Sequence, residues 1–310
     1  MLAYIIKRIF NAVLVLWVVI TITFGLMHAI PGGPFTVEKS LPPVVLKSIE
    51  ERYKLNDPLY KQYGDYLTNL VQGDLGPSFK YPGRSVNDII KDGFPVSFQL
   101  GMEAVLIAVI IGIPAGVLAA VKQGKWQDHA VNFCTTLGVA VPSFVVAALL
   151  IYVLSTKLHL LPSAMWEGWQ YQIMPALALS GMPMSFIARL TRSSMLDVLG
   201  QDYIKTARAK GLSRLTVLFK HALPNSLIPV ITYIGPMAAG ILTGSFVIES
   251  IFAIPGLGQY FVTSIYNRDY TVILGVTIFY SVIVIVLNML VDLIYPLLDP
   301  RIKIGSGKGE

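Results

Sequence analysis

Residues 98–121 read Phe98-Gln-Leu-Gly-Met-Glu-Ala-Val-Leu-Ile-Ala-Val-Ile-Ile-Gly-Ile-Pro-Ala-Gly-Val-Leu-Ala-Ala-Val121, with Glu103 as the sole charge. A helix needs about 20 mainly apolar residues to cross the hydrocarbon of a bilayer, and this stretch is long enough. Five further runs resemble it, at about Ile9–Ile30, Val131–Thr156, Ile173–Leu190, Leu227–Ile251 and Thr271–Leu293. The fourth and fifth are interrupted by Pro175, Pro183, Pro229 and Pro236. A membrane helix tolerates proline where its neighbours satisfy the freed carbonyls. The first run is too long for the core of a signal peptide and is not closed by a small-x-small site. The expected fold class is therefore an all-α membrane protein with six transmembrane helices.

Composition agrees. Only 14% of the 310 residues are charged and 54% are hydrophobic, against about 25% charged in an ordinary soluble domain. The net charge of +6 does not indicate nucleic acid, because the basic residues lie beside apolar spans and not on a soluble basic face. Positive charge also orients the bundle. Lys7 and Arg8 precede the first run, and Lys122 and Lys125 follow the second. Arg189, Arg192, Lys205, Arg208, Lys210, Arg214 and Lys220 follow the fourth, and Arg301, Lys303 and Lys308 close the chain. With six spans all of these share one side, while the short links opposite hold only Lys157 and Arg268. Both termini are expected in the cytoplasm of a cell whose inner membrane the chain crosses several times.

Four regions follow: a first span (1–30), an external helical segment (31–95), a transmembrane core (96–296) with a cytoplasmic loop at about 191–226, and a tail (297–310). In the external segment Pro42–Lys54 is expected to form a short helix. A second is expected to start with Asp57 as cap and Pro58 in its first turn, to carry Leu59, Tyr63, Tyr66, Leu67, Leu70 and Val71 at helical spacing, and to end at Gly73. Such a cap either covers apolar surface or docks an external partner. Tyr63, Tyr66, Asp74 and Gly76 here, with Pro255, Gly256, Gly258 and Gln259 in the last external link, are the candidates for docking or for lining the pore mouth.

The chain carries no recognisable catalytic constellation. Cys134 is the lone cysteine, and the four histidines lack ligand spacing. The run Gly305-Ser-Gly-Lys-Gly309 approaches a phosphate loop but has no following helix and no Ser or Thr for magnesium. Glu103, Glu249 and Asp292 each fall near a span end and read as interfacial, which counts against a proton-driven carrier with a mid-membrane carboxylate. No cofactor is expected in this chain, and any ATP and magnesium must be held by a partner.

The loop Asp202-Tyr-Ile-Lys-Thr-Ala-Arg-Ala-Lys-Gly211-Leu-Ser-Arg-Leu-Thr-Val-Leu-Phe-Lys-His-Ala-Leu-Pro224 predicts two short helices on either side of Gly211. Asp202 is expected to cap the first and Ser213 the second, which ends near Pro224. The loop resembles the signature of permease subunits of binding-protein-dependent ABC importers: Glu-Ala-Ala, three residues, Gly, nine residues, Ile, one residue, Leu-Pro. Ala207, Gly211, Leu223 and Pro224 fill their places at the right spacing, whereas Lys205, Thr206 and His221 replace Glu, Ala and Ile. Pro31-Gly-Gly-Pro34, Gly73-Asp-Leu-Gly-Pro-Ser-Phe79, Glu249-Ser-Ile-Phe-Ala-Ile-Pro-Gly-Leu-Gly258 and Arg268-Asp-Tyr270 are similar to segments of the B-type permeases of oligopeptide and dipeptide importers.

The resemblance implies a type I ABC importer permease fold. It also implies a pore shared with a second similar permease, two cytoplasmic ABC ATPases, an external peptide-binding protein and a peptide substrate. Tyr203, Ile204, Thr206, Ala207, Ala209, Lys210, Gly211, Leu212, Leu223 and Pro224 are the implied ATPase-coupling residues. Oligopeptide is the implied cargo, with dipeptide, nickel or glutathione as alternatives for the same machinery and a proton-coupled carrier as the remote one.

Overall fold

The computed structural model describes residues 2–29, 55–242 and 244–298. The expected helix at Pro42–Lys54, the Pro31–Pro34 motif and the tail beyond residue 298 lie outside them. The described elements are helical: α1 (Leu2–Ala29), α2 (Leu59–Val71), α3 (Val86–Val121), α4 (Trp126–Ala140), α5 (Ser143–Leu150) running on as a π-helical stretch (Ile151–Lys157), α6 (Trp169–Leu199) and α7 (Asp202–Ala209). Then come α8 (Arg214–Thr216), a π-helical stretch (Val217–Ala222), α9 (Leu223–Ser226), α10 (Ile228–Leu242), α11 (Phe246–Ile251), α12 (Leu257–Asn267) and α13 (Tyr270–Leu298).

Four helices are each long and apolar enough to cross a membrane: the Ile6–Ala29 part of α1, α3, α6 and the Tyr270–Leu290 part of α13. Two bent pairs pass the same test only together, α4 with α5 and its extension (105°), and Arg214–Ser226 with Ile228–Leu242 (48°). Taken as one span each, they bring the apolar crossings to the six that were read. The third is not the straight helix expected over Val131–Thr156. Pro142 breaks it, because the residue before a proline is driven out of the helical region, and Val141 is extended (φ −91°, ψ 119°). The fifth ends at Leu242, and residues 246–251 form the separate α11 and not the last turns of a span to Ile251. Pro175 and Pro183, read as interruptions, lie inside the continuous α6.

The bundle is built around α3 and α6. A Cβ at Gly116 would stand 2.4 Å from the Ala188 carbonyl oxygen, and one at Gly112 would stand 2.9 Å from that of Met184. Ala108 and Ile187 are buried in the same seam with Val230 of α10. Lipid tails are as apolar as leucine, so membrane helices associate through such small-residue approaches. A second cluster, Leu100, Ala147, Met174, Ala176, Ala178, Ile248, Phe252 and Ile254, joins α5 and the α11 region to the same pair. α1 packs on α13 at the edge, with most of its apolar side chains, such as Phe10, Val13 and Trp17, exposed for lipid.

α2 forms as read and turns off at Gln72 and Gly73. Its start differs. Pro58, not Asp57, is the cap residue, and no side chain caps the helix. Asp57 instead pairs with Lys61 at 2.9 Å, and Gln62 Nε2 donates to the Leu55 and Asp57 carbonyls. None of its residues is fully buried, so α2 lies on the bundle and is not part of its core.

Candidate functional site: the loop after α6 and the carboxylates at the opposite end

Two regions contain the candidate residues. The first is the loop after α6. α7 starts after Gln201; Asp202, expected to cap it, is its first residue and pairs with Lys205 at 2.9 Å in solvent. The far end is locked. Gly211 has φ +78°, its N–H donates to the Arg208 carbonyl (3.0 Å), and the Leu212 N–H donates to that of Ala207 (3.3 Å). This pair of bonds is a Schellman motif, which requires a left-handed residue at the Gly211 position. Ser213 then caps the next helix, its Oγ accepting the Thr216 N–H at 3.2 Å, as its sequence position predicted. The second helix ends near Pro224 as read: α9 carries the path two residues past it, to Ser226.

The ten coupling candidates divide by burial. Ile204 (0% exposed) and Ala207 (7%) face inward against Ala120, Met195, Val217 and Ala222, with Leu223 at the margin. Tyr203, Thr206, Ala209, Lys210, Gly211 and Leu212 face outward, and Pro224 is exposed. The inward side chains anchor α7 to the ends of α3 and α6. The outward ones make a free helical face whose position is fixed by that anchor. Asn225 Nδ2 donates to the Tyr203 hydroxyl at 3.0 Å, tying α7 to α9.

An ion pair that sequence reading missed lies beside this anchor. Arg192 holds Asp128 in two bonds, Nε to Oδ1 at 2.6 Å and Nη2 to Oδ2 at 2.8 Å. Gly124 N–H and Asn132 Nδ2 complete the carboxylate's partners at 3.0 and 2.8 Å. Arg189 donates to Thr135 and Thr136. Both arginines, read as loop charges, lie within α6 and bind α4. The signal available was Asp128, the one acid of α4 and in its first turn, but its partner is 64 residues away.

The second region is the opposite end of the bundle, where two buried carboxylates organise the motifs around residues 73–79, 249–258 and 268–270. Asp269 accepts from Ser78 Oγ, from the Phe79 and Lys80 N–H groups (both 3.1 Å) and from Thr271 Oγ1 (2.9 Å). The Gly73–Phe79 and Arg268–Tyr270 motifs are thereby one structure. Glu249, read as an interfacial side chain, is fully buried. It accepts from Ser97 Oγ at 2.8 Å and from the Gln259 N–H at 3.2 Å, and Ser97 Oγ accepts the Leu257 N–H at 2.9 Å. Gly256 and Gly258 are buried against it: a Cβ on either would come within 2.4 or 2.8 Å of its Oε2. Their neighbours Pro255 and Gln259 are exposed.

Tyr66, Asp74 and Gly76 line one cavity of about 280 Å³ with Phe24, His28 and Tyr270, whereas Pro255–Gln259 do not reach it. Burial pushes the Tyr66 phenol well above its ordinary pKa, so it remains a neutral donor. Tyr63 bonds Thr21 of α1 at 2.6 Å. Among the described residues no three His, Cys, Asp or Glu side chains converge as metal ligands.

A bundle of apolar crossings with an anchored helix presented at one end is the architecture of a multi-spanning membrane protein. The family model described as "Binding-protein-dependent transport system inner membrane component" matches residues 112–304, and its N-terminal companion matches residues 1–101. The chain belongs to this family. It is 52% identical over 98% of its length to the dipeptide transport system permease protein DppB of Bacillus subtilis, covering 99% of that protein. It is 47% identical to the oligopeptide transport system permease protein OppB of Haemophilus influenzae, over 98% of this chain and 100% of that one. Among solved structures, an inward-facing MetNI methionine ABC transporter superposes with a TM-score of 0.58 at 18% identity, over 68% of this chain and 96% of that chain. The shared fold is that of type I ABC permeases.

Glu249→Ala removes the acceptor of Ser97 Oγ–H and of the Gln259 N–H. Two buried donors left unpaired cost about 2–4 kcal/mol together. A lower midpoint of heat-induced aggregation in detergent is expected, with Glu249→Gln, which keeps an acceptor, falling less. An unchanged midpoint for Glu249→Ala removes the carboxylate from any organising role.

Proposed function

We propose that this chain forms half of a peptide-conducting pore in an ATP-driven importer, with oligopeptide or dipeptide as cargo. What supports this reading is full-length similarity to permeases bearing both of those names, together with the outward face of α7. In this reading a second similar permease completes the pore. Two cytoplasmic ATPases bind the ATP and magnesium, and an external binding protein delivers the peptide. Tyr203, Thr206, Ala209, Lys210 and Leu212 meet a groove on one ATPase. Ile204 and Ala207 transmit the movement of that ATPase, because they join α7 to α3 and α6. A rigid-body step of the ATPase then becomes a shift between two states of the pore. Both termini lie inside, and α2 with the Asp269 and Glu249 motifs lies outside. The exposed Asp74, Pro255 and Gln259 are the binding-protein contacts, while Gly256 and Gly258 serve the same face by shaping it around Glu249.

Orientation is tested by impermeant thiol labelling of intact cells stripped of any outer barrier, in a Cys134→Ser background. A cysteine at the exposed Gln72 should label and one at the exposed Ser213 should not; the reverse pattern overturns the topology.

Coupling is tested at Gly211. Its Cβ would meet no atom within 4 Å, so the penalty of a substitution is conformational, about 1–2 kcal/mol for a left-handed residue and more for a β-branched one. Gly211→Val should insert and assemble, yet lose most peptide-stimulated ATP hydrolysis and uptake in reconstituted complexes. Normal stimulation and uptake would reduce the loop to a passive link.

A further inference from the structure

The second half of the loop has a face that the ATPase reading leaves unused. Leu215 is 68% exposed and Phe219 is 59% exposed, one turn apart, while Val217 (2%) and Ala222 (0%) on the other side are packed into the bundle. Arg214 and Lys220 are exposed beside them. From Tyr203 to Ile248 the sequence contains no Asp or Glu, but it contains Lys205, Arg208, Lys210, Arg214 and Lys220. Among the described residues Lys205 pairs with Asp202, and Arg214 and Lys220 make no ion pair. The same helical path, Arg214–Ser226, bends by 48° and continues as the span α10, so this face stands at the foot of a membrane helix.

Two exposed apolar side chains flanked by cations, at the boundary between a span and the cytoplasmic loop, have the composition of an interfacial amphipathic segment. Such a segment buries its apolar side at the acyl boundary and holds its basic groups against anionic headgroups. Long basic side chains suit this position because the stem lies along hydrocarbon while the charge reaches water. We propose that the Leu215–Phe219 face seats in the adjoining bilayer leaflet and that Arg214 and Lys220 bind anionic phospholipid headgroups. The loop then has two divided surfaces, α7 turned to a protein and the stretch from α8 to residue 220 turned to lipid. The lipid contact fixes the base from which α7 is presented. The inference rests on α10 crossing the membrane, not on which solute is carried.

The test uses the complete importer in lipid nanodiscs, with Cys134→Ser and a single bimane-labelled cysteine at position 215, 219 or 206. Nitroxide-bearing phosphatidylglycerol or phosphatidylcholine quenches from the lipid side, and iodide quenches from water. Labels at 215 and 219 should be quenched by nitroxide lipid and the label at 206 should not. Phosphatidylglycerol should be the better quencher by about thirtyfold in apparent affinity, the equivalent of about 2 kcal/mol for two basic residues at an anionic surface. Arg214→Gln with Lys220→Gln should abolish that preference and leave the quenching itself. Equal quenching by both lipids in the parent protein overturns headgroup recognition. Labels at 215 and 219 shielded from lipid and iodide while the ATPases are bound, and released when they are stripped, identify the face as a protein contact and overturn the proposal. Iodide quenching without lipid quenching, with or without the ATPases, overturns it in favour of a solvated link.

Discussion

The approach of α3 to α6 at Gly112 and Gly116 is the contact from which the rest of the molecule is hung. No Cβ fits at either position without a neighbour shifting, so the two backbones approach more closely there than a side chain would permit. Inside a bilayer this closeness matters more than apolar character, because leucine gains nothing by leaving lipid for a leucine-lined interface. At 36 and 31 residues, α3 and α6 are each longer than the about 20 residues that cross the hydrocarbon. Toward the N-terminal end of α3, Val86 is buried with Leu257, Val272 and Val276, and Ser97 holds Glu249. At the C-terminal ends of the pair Ala120 and Met195 form the floor on which Ile204 and Ala207 rest. The Asp128–Arg192 pair fastens α4 to the same end.

This arrangement places polar groups where each is answered. A buried carboxylate without partners is among the most expensive groups a fold can contain. Glu249 and Asp269 are tolerated because backbone N–H groups and hydroxyls converge on them. They work as knots that tie short, irregular segments to long helices, and Asp128 does the same at the opposite end with a guanidinium. The loop needs no such knot at its tip, since the two Schellman bonds at Gly211 close α7 locally. The result is a helix whose outward face is open and whose inward face is fixed, the arrangement a mechanical link requires.

Much of this was legible in the residues. The apolar runs gave the crossings, the spacing around Gly211 gave the turn, and Ser213 gave a cap that the chain uses. What was misread at Glu249, Arg189, Arg192, Gly256 and Gly258 had non-local causes. Glu249 looks interfacial because it stands at the edge of an apolar run, and its partners Ser97 and Gln259 come from two other helices. Arg189 and Arg192 look like orienting loop charges until α4 is packed beside them. Gly256 and Gly258 look like a surface turn, whereas they make room for a carboxylate. Pro142 was a local signal, a proline in the middle of an apolar run, and it does break the third crossing by 105°. Asp57 and Asp202 are reasonable caps by composition, but each pairs with a lysine within one turn and leaves the cap position to its neighbour.

The central claim is that α7 moves as one body with the C-terminal ends of α3 and α6. Pulsed distance measurement between nitroxides at Thr206 and at Gln123, both exposed and outside the spans, addresses it directly in the complete importer with and without ATP. The account predicts a single distance that is unchanged between the two states while uptake proceeds. A change of about 5 Å or more, one helical turn, or a broad distribution in either state, would contradict it.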